Sequence, residues 1–458
     1  MPPGRLRQGS PRTYCVPRAL ALAWGLSVAL PVRTAGQGGG APSPAPALLG
    51  AQFTLIAQYL PPFPAPYNGT YSLTNRGDFQ GTHTYGVYFG SHLAPHVEAY
   101  LDIEMARGGA IGNAFGLGGI TNGDVIRQGS VELKPVPYVA RGYVRVVLPL
   151  AQTLDTQPRG MDQLPGAEPA ERVEVKLGKL ALTDDFDQNR YANTTREQFC
   201  NWGLFNNTAW DYAADTRGYS YGVVLAWVHS AWALRLSSML MPTFANGNVF
   251  DWNVRRAHGD NAELVLRPKP GGTVLRLLAY QNHARMGIYA EALALATPPG
   301  QPPNIVADDR QGRRKYGFGL NVEQPLADSG ETGAFLRLGW NDGHSEDFVF
   351  TEVDRHVSAG VQLTGTSWGR ASDRLGVAAV RHGLSADHRA YLAAGGVGFL
   401  LGDGRLTYAA ETILEGYYRV QLGPYVQGGP DVQFVANPGY NHDRGPATVV
   451  SLRLHLRY

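Results

Sequence analysis

Only two cysteines, Cys15 and Cys200, occur in 458 residues, so a disulfide-stapled scaffold is excluded. Charged residues make up 17 %. About 25 % is usual for soluble domains, and the deficit argues against a coiled coil or a solvated, disordered chain. Forty basic against 38 acidic residues leave a formal +2, too weak a balance for a nucleic-acid partner. Acidic residues are missing altogether before Asp78. Beyond residue 36 no stretch offers the ~18 uncharged apolar residues of a membrane-spanning helix. The nearest, Tyr221–Met241, is interrupted by His229, Arg235 and several serines. There is no G-x-S-x-G elbow, no H-E-x-x-H, no Walker A loop and no cysteine pair at metal spacing. No enzyme constellation is present, and no cofactor is called for. Gly116–Gly123 (GLGGITNG) is glycine-rich but lacks the strand-turn-helix context of a phosphate site, and it reads as a loop.

Glycine (57 residues) and aromatic side chains (10 %) are plentiful, which favours β-structure with many turns. The first segment stands apart. Arg5, Arg7, Arg12 and Arg18 precede the apolar run Ala19–Val32, and Thr34-Ala35-Gly36 offers small residues for cleavage. Residues 1–36 therefore read as a secretory signal peptide and residues 37–49 as a flexible linker. Cleavage leaves Cys200 as the sole cysteine. It also removes Arg33 with the other four arginines, turning +2 into −3.

From residue 50 the chain alternates with period two. Tyr85, Val87 and Phe89 precede a turn expected over Ser91–Pro95. Val97, Ala99, Leu101, Ile103 and Met105 then alternate with Glu98, Tyr100, Asp102 and Glu104. Val144, Val146 and Leu148 alternate with Arg141, Tyr143 and Arg145. Tyr219, Tyr221, Val223, Leu225 and Trp227 share one face of a strand that turns at His229-Ser230. The last strand sets Val450, Leu452, Leu454, Leu456 and Tyr458 against Ser451, Arg453, His455 and Arg457. One stretch, Arg285–Ala296, reads as a helix in an external loop, rich in Ala and Leu.

Strands of about ten residues, apolar on one face and polar on the other, suit two architectures: a soluble sandwich or an outer-membrane barrel. Export, the absence of disulfides, and short turns alternating with long polar connections favour the barrel. The fold expected over residues 50–458 is all-β, a transmembrane antiparallel β-barrel of about 16 strands, at most about 18, enclosing an aqueous channel. Long external loops and short periplasmic turns follow from the same pattern. A terminal aromatic, Tyr458, resembles the signal by which the barrel-assembly machinery recognises its clients.

The segment Gly178–Gly222 carries Gly178-Lys179, Asp185-Phe186-Asp187, Asn189, Tyr191, Phe199, Asn201-Trp202 and Asp211-Tyr212-Ala213-Ala214-Asp215. Nearer the C-terminus stand Asp431, Gln433, Asn437-Pro438-Gly439-Tyr440-Asn441 and Asp443-Arg444-Gly445-Pro446. This pattern resembles the carbohydrate-selective porins of the OprB type. Pro66-Tyr67-Asn68-Gly69 is closest to a divergent branch often labelled manganese porins. The resemblance implies a single outer-membrane barrel passing sugars by diffusion. A divalent-cation porin and a secreted β-rich sugar-binding protein remain the alternatives.

Selectivity in a wide barrel comes from charged and hydrogen-bonding groups at a constriction. Glu98, Asp102 and Glu104 opposed by Arg141 and Arg145 form the candidate solute ladder, with Tyr100 and Tyr143 as surfaces for the apolar faces of sugars. The other reading is that these groups merely solvate the lumen or pair with one another. Asp342, His344, Glu346 and Asp347 could hold Mn²⁺, Ca²⁺ or Mg²⁺, or simply belong to a solvated external loop. Asp184, Asp185 and Asp187 read the same way, as metal ligands or as a structural motif at a strand end.

Overall fold

Period-two alternation has a direct structural outcome: one side of every strand must face an apolar medium. The computed structural model describes residues 47–124, 133–296, 301–403 and 406–458. The expected signal peptide and most of the expected linker lie outside the described residues. β1 (Ala47–Leu60), β2 (Asp78–Ala94), β3 (Val97–Gly108) and β4 (Tyr138–Pro149) begin the sheet. A small separate hairpin, β5 (Leu154–Gln157) with β6 (Gly166–Pro169), precedes β7 (Arg172–Leu180). There follow β8 (Ser220–Val228), β9 (Trp232–Leu240), β10 (His258–Leu266), β11 (Val274–Met286) and β12 (Arg310–Ala327). The last are β13 (Thr332–Asn341), β14 (Arg355–Gly365), β15 (Arg370–Gly383), β16 (Glu411–Gln421), β17 (Val426–Ala436) and β18 (Ala447–Arg457).

Apart from the hairpin, all strands join one closed antiparallel barrel of 16 strands. Closure is made by β1 on β18, in register from Gln52 opposite Arg457 to Tyr59 opposite Val450. Each neighbour in the barrel is also the next barrel strand in the chain, an up-and-down topology. Short turns, such as Pro95–His96 and 229–231, sit at the end that also carries Ala47 and Tyr458. The long connections sit at the other end, and only 150–171 breaks this asymmetry.

The outward face is apolar as expected: Leu101, Leu277, Val357 and Leu452 are exposed to the surroundings of the barrel. Four local details differ from the sequence reading. β2 runs through Ala94, so the turn shrinks to Pro95–His96, and Ala47–Leu49 belong to β1 rather than to a linker. Tyr219 precedes β8 and turns inward, buried, with its hydroxyl on Glu104 at 2.6 Å. The helix spans only Tyr289–Leu295, because Ala284 and Met286 pair with β12 instead.

The interior is not simply water. Segments 111–124, 181–219 and 342–354 leave the long-loop end and fold into the barrel, where Phe186, Trp202, Phe205, Trp210, Tyr212 and Phe350 form an apolar cluster. The polar wall answers their backbone. Arg337 on β13 donates to the carbonyls of Leu204 (3.1 Å), Asp187 (3.0 Å) and Ala192 (2.7 Å). Arg453 on β18 donates to those of Thr195 (2.6 Å) and Gln198 (2.5 Å). Glu415 on β16 accepts the N–H groups of Cys200 and Asn201. At Gly116 (φ +84°) a Cβ would lie 1.8 Å from the Leu73 nitrogen, so only glycine lets the two segments meet.

Arginine on the outward face costs about 2–4 kcal/mol at the bilayer midplane. Leu452→Arg is therefore expected to lower unfolding free energy by roughly that amount, read by urea denaturation in lipid vesicles. An unchanged midpoint would show that this face does not meet hydrocarbon.

Candidate functional site

β3 and β4 place the ladder residues on their inward faces. An unbroken register as far as Asp102 aligns Glu98 with Arg145, Tyr100 with Tyr143 and Asp102 with Arg141, and the shift that follows sets Glu104 opposite Tyr138. The opposite charges meet directly: Arg145 lies 3.0 Å from Glu98 and Arg141 3.2 Å from Asp102. β7 adds Glu174, 3.1 Å from Arg145, and Lys176, paired with Asp185 at 2.7 Å. The ladder is thus largely self-paired. Tyr100 and Tyr143 stack on each other, with centroids 5.1 Å apart, and Tyr100 donates to Glu98.

Two open volumes lie along this wall. The one toward the long-loop end (about 130 Å³) is lined by Glu104, Arg141, Arg196, Asp124, Tyr219 and Phe350, among others. The one toward the short-turn end (about 390 Å³) is lined by Tyr143, Lys176, Asp184, Asn193, Trp202 and Phe205, among others. Thr183 and Trp202 stand in the wall of both, so the narrowing between them is made there. Of the expected solute residues, Glu104, Arg141 and Tyr143 reach these volumes. Glu98, Tyr100, Asp102 and Arg145 line neither: Asp102 is the ion-pair partner of Arg141, Glu98 and Arg145 pair with each other, and Tyr100 stacks on Tyr143.

The segment 181–219 supplies the other side of the narrowing. A 3₁₀ turn, Leu182–Asp184, brings Asp184 onto Arg141 through two hydrogen bonds of 2.6 and 2.8 Å. Asn201 caps a single helical turn, Trp202–Phe205, by accepting from the Gly203 N–H. This cap fixes Trp202, which stacks on Phe350 at 4.8 Å and 24°. Arg196 bridges Glu104 (3.5 Å) and Asp124 (3.2 Å). Charged, hydrogen-bonding groups (Glu104, Arg141, Asp184, Arg196) and aromatic rings (Trp202, Phe350) thus line these two volumes together. Arg196, Asp124, Trp202 and Phe350 were not among the sequence candidates. Trp202 alone had a signal, its place in the Asn201-Trp202 motif.

The sequence pattern of the carbohydrate-selective porins, OprB family, matches residues 93–458. The chain belongs to that family. This porin is an outer-membrane channel for carbohydrates, and its short-turn end is the periplasmic one. Its fold is similar to that of Pseudomonas putida OprB in a high-pH structure: TM-score 0.65, 13 % identity, covering 90 % of this chain and 94 % of that one. The channel DcaP of Acinetobacter baumannii is similar at TM-score 0.48 and 9 % identity, covering 92 % and 99 %. OmpT of Vibrio cholerae, lacking loop L8, gives 0.46 and 9 %, covering 91 % and 100 %. No functionally curated protein shows significant sequence similarity to this porin.

The acidic groups weighed for metal binding are used otherwise. Asp184, Asp185 and Asp187 are engaged by Arg141, Lys176 and Arg337 respectively. Asp342, His344, Glu346 and Asp347 do not converge, and the 342–354 segment is buried rather than solvated, with His344 as its exposed exception. His344 pairs with Asp387, Glu346 accepts the Gly287 N–H, and Asp347 pairs with Lys315. Asp347, Asp354 and His388 do approach one another within 4.8 Å. There the buried Lys315 ammonium already supplies the positive charge to Asp347, with Asp211 3.5 Å away.

The Glu346 carboxyl is pushed up to about 8, chiefly by burial, while the Gly287 N–H works in the opposite sense. A carboxyl raised on folding contributes stability that is present at acid pH and lost as pH rises toward the folded value. Thermal unfolding of the porin should therefore fall, relative to Glu346→Gln, as pH rises from about 5 to about 8. Parallel curves for the two proteins across this range would contradict the assignment.

Proposed function

We propose that neutral sugars diffuse through the passage between the Arg141–Asp184–Arg196–Glu104 bank and the Trp202–Phe350 bank. The observation that supports this reading is that charged hydrogen-bonding groups and the stacked Trp202–Phe350 pair line the two volumes that share Thr183 and Trp202. Sugar hydroxyls accept from arginine and donate to carboxylate, while their C–H faces lie against aromatic rings. Arg141 and Arg196 are the donors, Asp184 and Glu104 the acceptors, and Trp202 the platform. Glu98, Asp102, Arg145 and Tyr100 hold that bank in place, and Tyr143 faces the solute beyond the narrowing. Carboxylates outnumber cations along the wall, so a solute carrying a phosphate or carboxylate group meets repulsion as well as desolvation. The reading requires no chemical step and no nucleophile.

The same reading extends to the chain ends. Residues 1–36 direct export and are removed, and β18, with Tyr458 directly after it, is presented to the barrel-assembly machinery. Deleting Tyr458 is then expected to lower the amount of heat-modifiable porin in outer membranes.

Liposome swelling tests the main reading. Glucose should enter faster than an amino acid of similar size and faster than glucose 6-phosphate. Equal rates for all three would remove carbohydrate preference. Arg141→Ala and Trp202→Ala should each weaken sugar block of single channels by about 5–20-fold, the loss of a charged hydrogen bond or a stacking surface. Unaltered block in both variants would move the solute path elsewhere.

A further inference from the structure

Among the described residues, connection 150–171 is the one long segment at the periplasmic end, and it does not hang free. Its hairpin, β5 with β6, reaches β1, β3, β4 and β7 on the inner wall. Arg159 at the tip donates to the Leu49 carbonyl at 2.5 Å, and its guanidinium stands 5.9 Å from the Tyr458 ring centroid. The tip is thereby tied to the seam where β1 closes on β18. Leu164 is buried in the interior cluster, and its N–H donates to the Tyr100 hydroxyl at 3.2 Å. Glu168 pairs with Arg145 and, at 3.2 Å, with Arg172. Apolar burial, backbone hydrogen bonds and ion pairs all hold the same hairpin against the inner wall.

Its tip also forms part of the larger open volume. Asp162 and Gln163 line the 390 Å³ space together with Lys176, Asp184, Gln188, Asn193 and Asn206, with Phe186, Trp202 and Phe205 as aromatic surfaces. Asp162 stands 3.8 Å from Arg141, too far for a good hydrogen bond, and its nearest polar neighbour is the like-charged carboxyl of Asp102, which leaves it short of donors. The Gln163 amide N–H₂ is turned back on the Pro158 carbonyl, 2.6 Å away. Such a space is rich in donors and acceptors and has apolar ring surfaces on one side. A polyhydroxylated ring can satisfy the first and cover the second, whereas a small ion would leave the aromatic surfaces wet.

We propose that the 150–171 hairpin is an exit-side selectivity element: it floors a chamber just past Trp202 in which one neutral sugar ring is held. Asp162 and Gln163 are its specificity residues, Asp162 accepting from a sugar hydroxyl and Gln163 exchanging hydrogen bonds with the ring. The chamber rests on the channel reading given under Proposed function. The hairpin gives the porin a second filter in series with the narrowing, on the periplasmic side, built between the hairpin tip and the inward segment 181–219.

The test is single-channel recording in planar bilayers with glucose added to either side. Three variants are compared with the parent: Gln163→Ala, Asp162→Asn, and one with residues 153–170 replaced by a Gly-Ser turn. Heat-modifiable gel mobility confirms that each is folded, and the two point variants keep the test open should the shortened protein fail to insert. Losing one or two hydrogen bonds should weaken sugar block by about 5–10-fold in the point variants. The shortened variant should show raised conductance, and its loss of block should be larger for glucose added from the hairpin side. A parent that is blocked by glucose, with block and conductance unchanged in the folded variants, overturns the hairpin proposal and leaves the channel reading intact. A parent that neither passes nor is blocked by any sugar overturns the channel reading, and the chamber with it.

Discussion

Every backbone N–H and C=O that faces hydrocarbon must find a partner within the protein, since each orphan costs several kcal/mol. That requirement makes the sheet close, and here the closing ladder runs from Gln52–Arg457 to Tyr59–Val450. Closure fixes parity around the whole circumference. Once Phe318 meets lipid, its neighbours one residue away in β12 must point inward, and Lys315, Asn321 and Glu323 are buried on that side. The charges of the chain are thereby concentrated in a confined interior. A charge there needs a partner or water, because an unpaired one is strongly destabilising.

The interior answers this need with protein more than with water. Arg337 is wholly buried, 3.0 Å from Asp187, and donates to three carbonyls of the 181–219 segment. That segment has little regular structure, so its backbone would otherwise be unsatisfied. The polar wall and the inward segments are thus two halves of one hydrogen-bonding arrangement. One consequence reaches function. The segments fill the side near β10, β13, β16 and β18, and the open volumes that line the passage are left against β3, β4 and β7. The proposed passage lies where the wall charges pair with one another and with loop side chains rather than with loop backbone.

The strands were legible because period two is a local property: each residue declares its side by its neighbours two positions away. Parity also foretold that Glu98, Asp102, Arg141 and Arg145 share the interior, where Glu98 meets Arg145 and Asp102 meets Arg141. The inward segments were not legible, because their place is set by partners far away in sequence, such as Asp187 with Arg337 or Cys200 with Glu415. For the same reason Asp342–Asp347 read as a solvated loop, although Lys315, which buries and neutralises Asp347, sits on another strand. Composition misled at Arg285–Met286, where helix-favouring neighbours lost to ladder pairing with β12. Trp202 gave its position through a motif, but its stacking on Phe350 has no counterpart in local pattern.

The self-pairing of the wall has a kinetic meaning. A channel that works by diffusion must bind its solute tightly enough to admit it and loosely enough to let it go. An arginine free in the lumen would offer an unopposed charge, favouring anions and holding them. Arg141 instead spends its donors on Asp184 and Asp102, and Arg196 divides its own between Glu104 and Asp124. A sugar hydroxyl entering between such partners replaces part of an existing hydrogen bond and supplies both a donor and an acceptor. The net gain per contact is then close to that of an ordinary exchange with water, about 1 kcal/mol or less. The aromatic bank adds attraction without direction, so a ring can slide as it leaves one hydroxyl contact for the next. Weak, replaceable contacts along a continuous surface are what passive transport of a neutral, hydroxyl-rich solute requires.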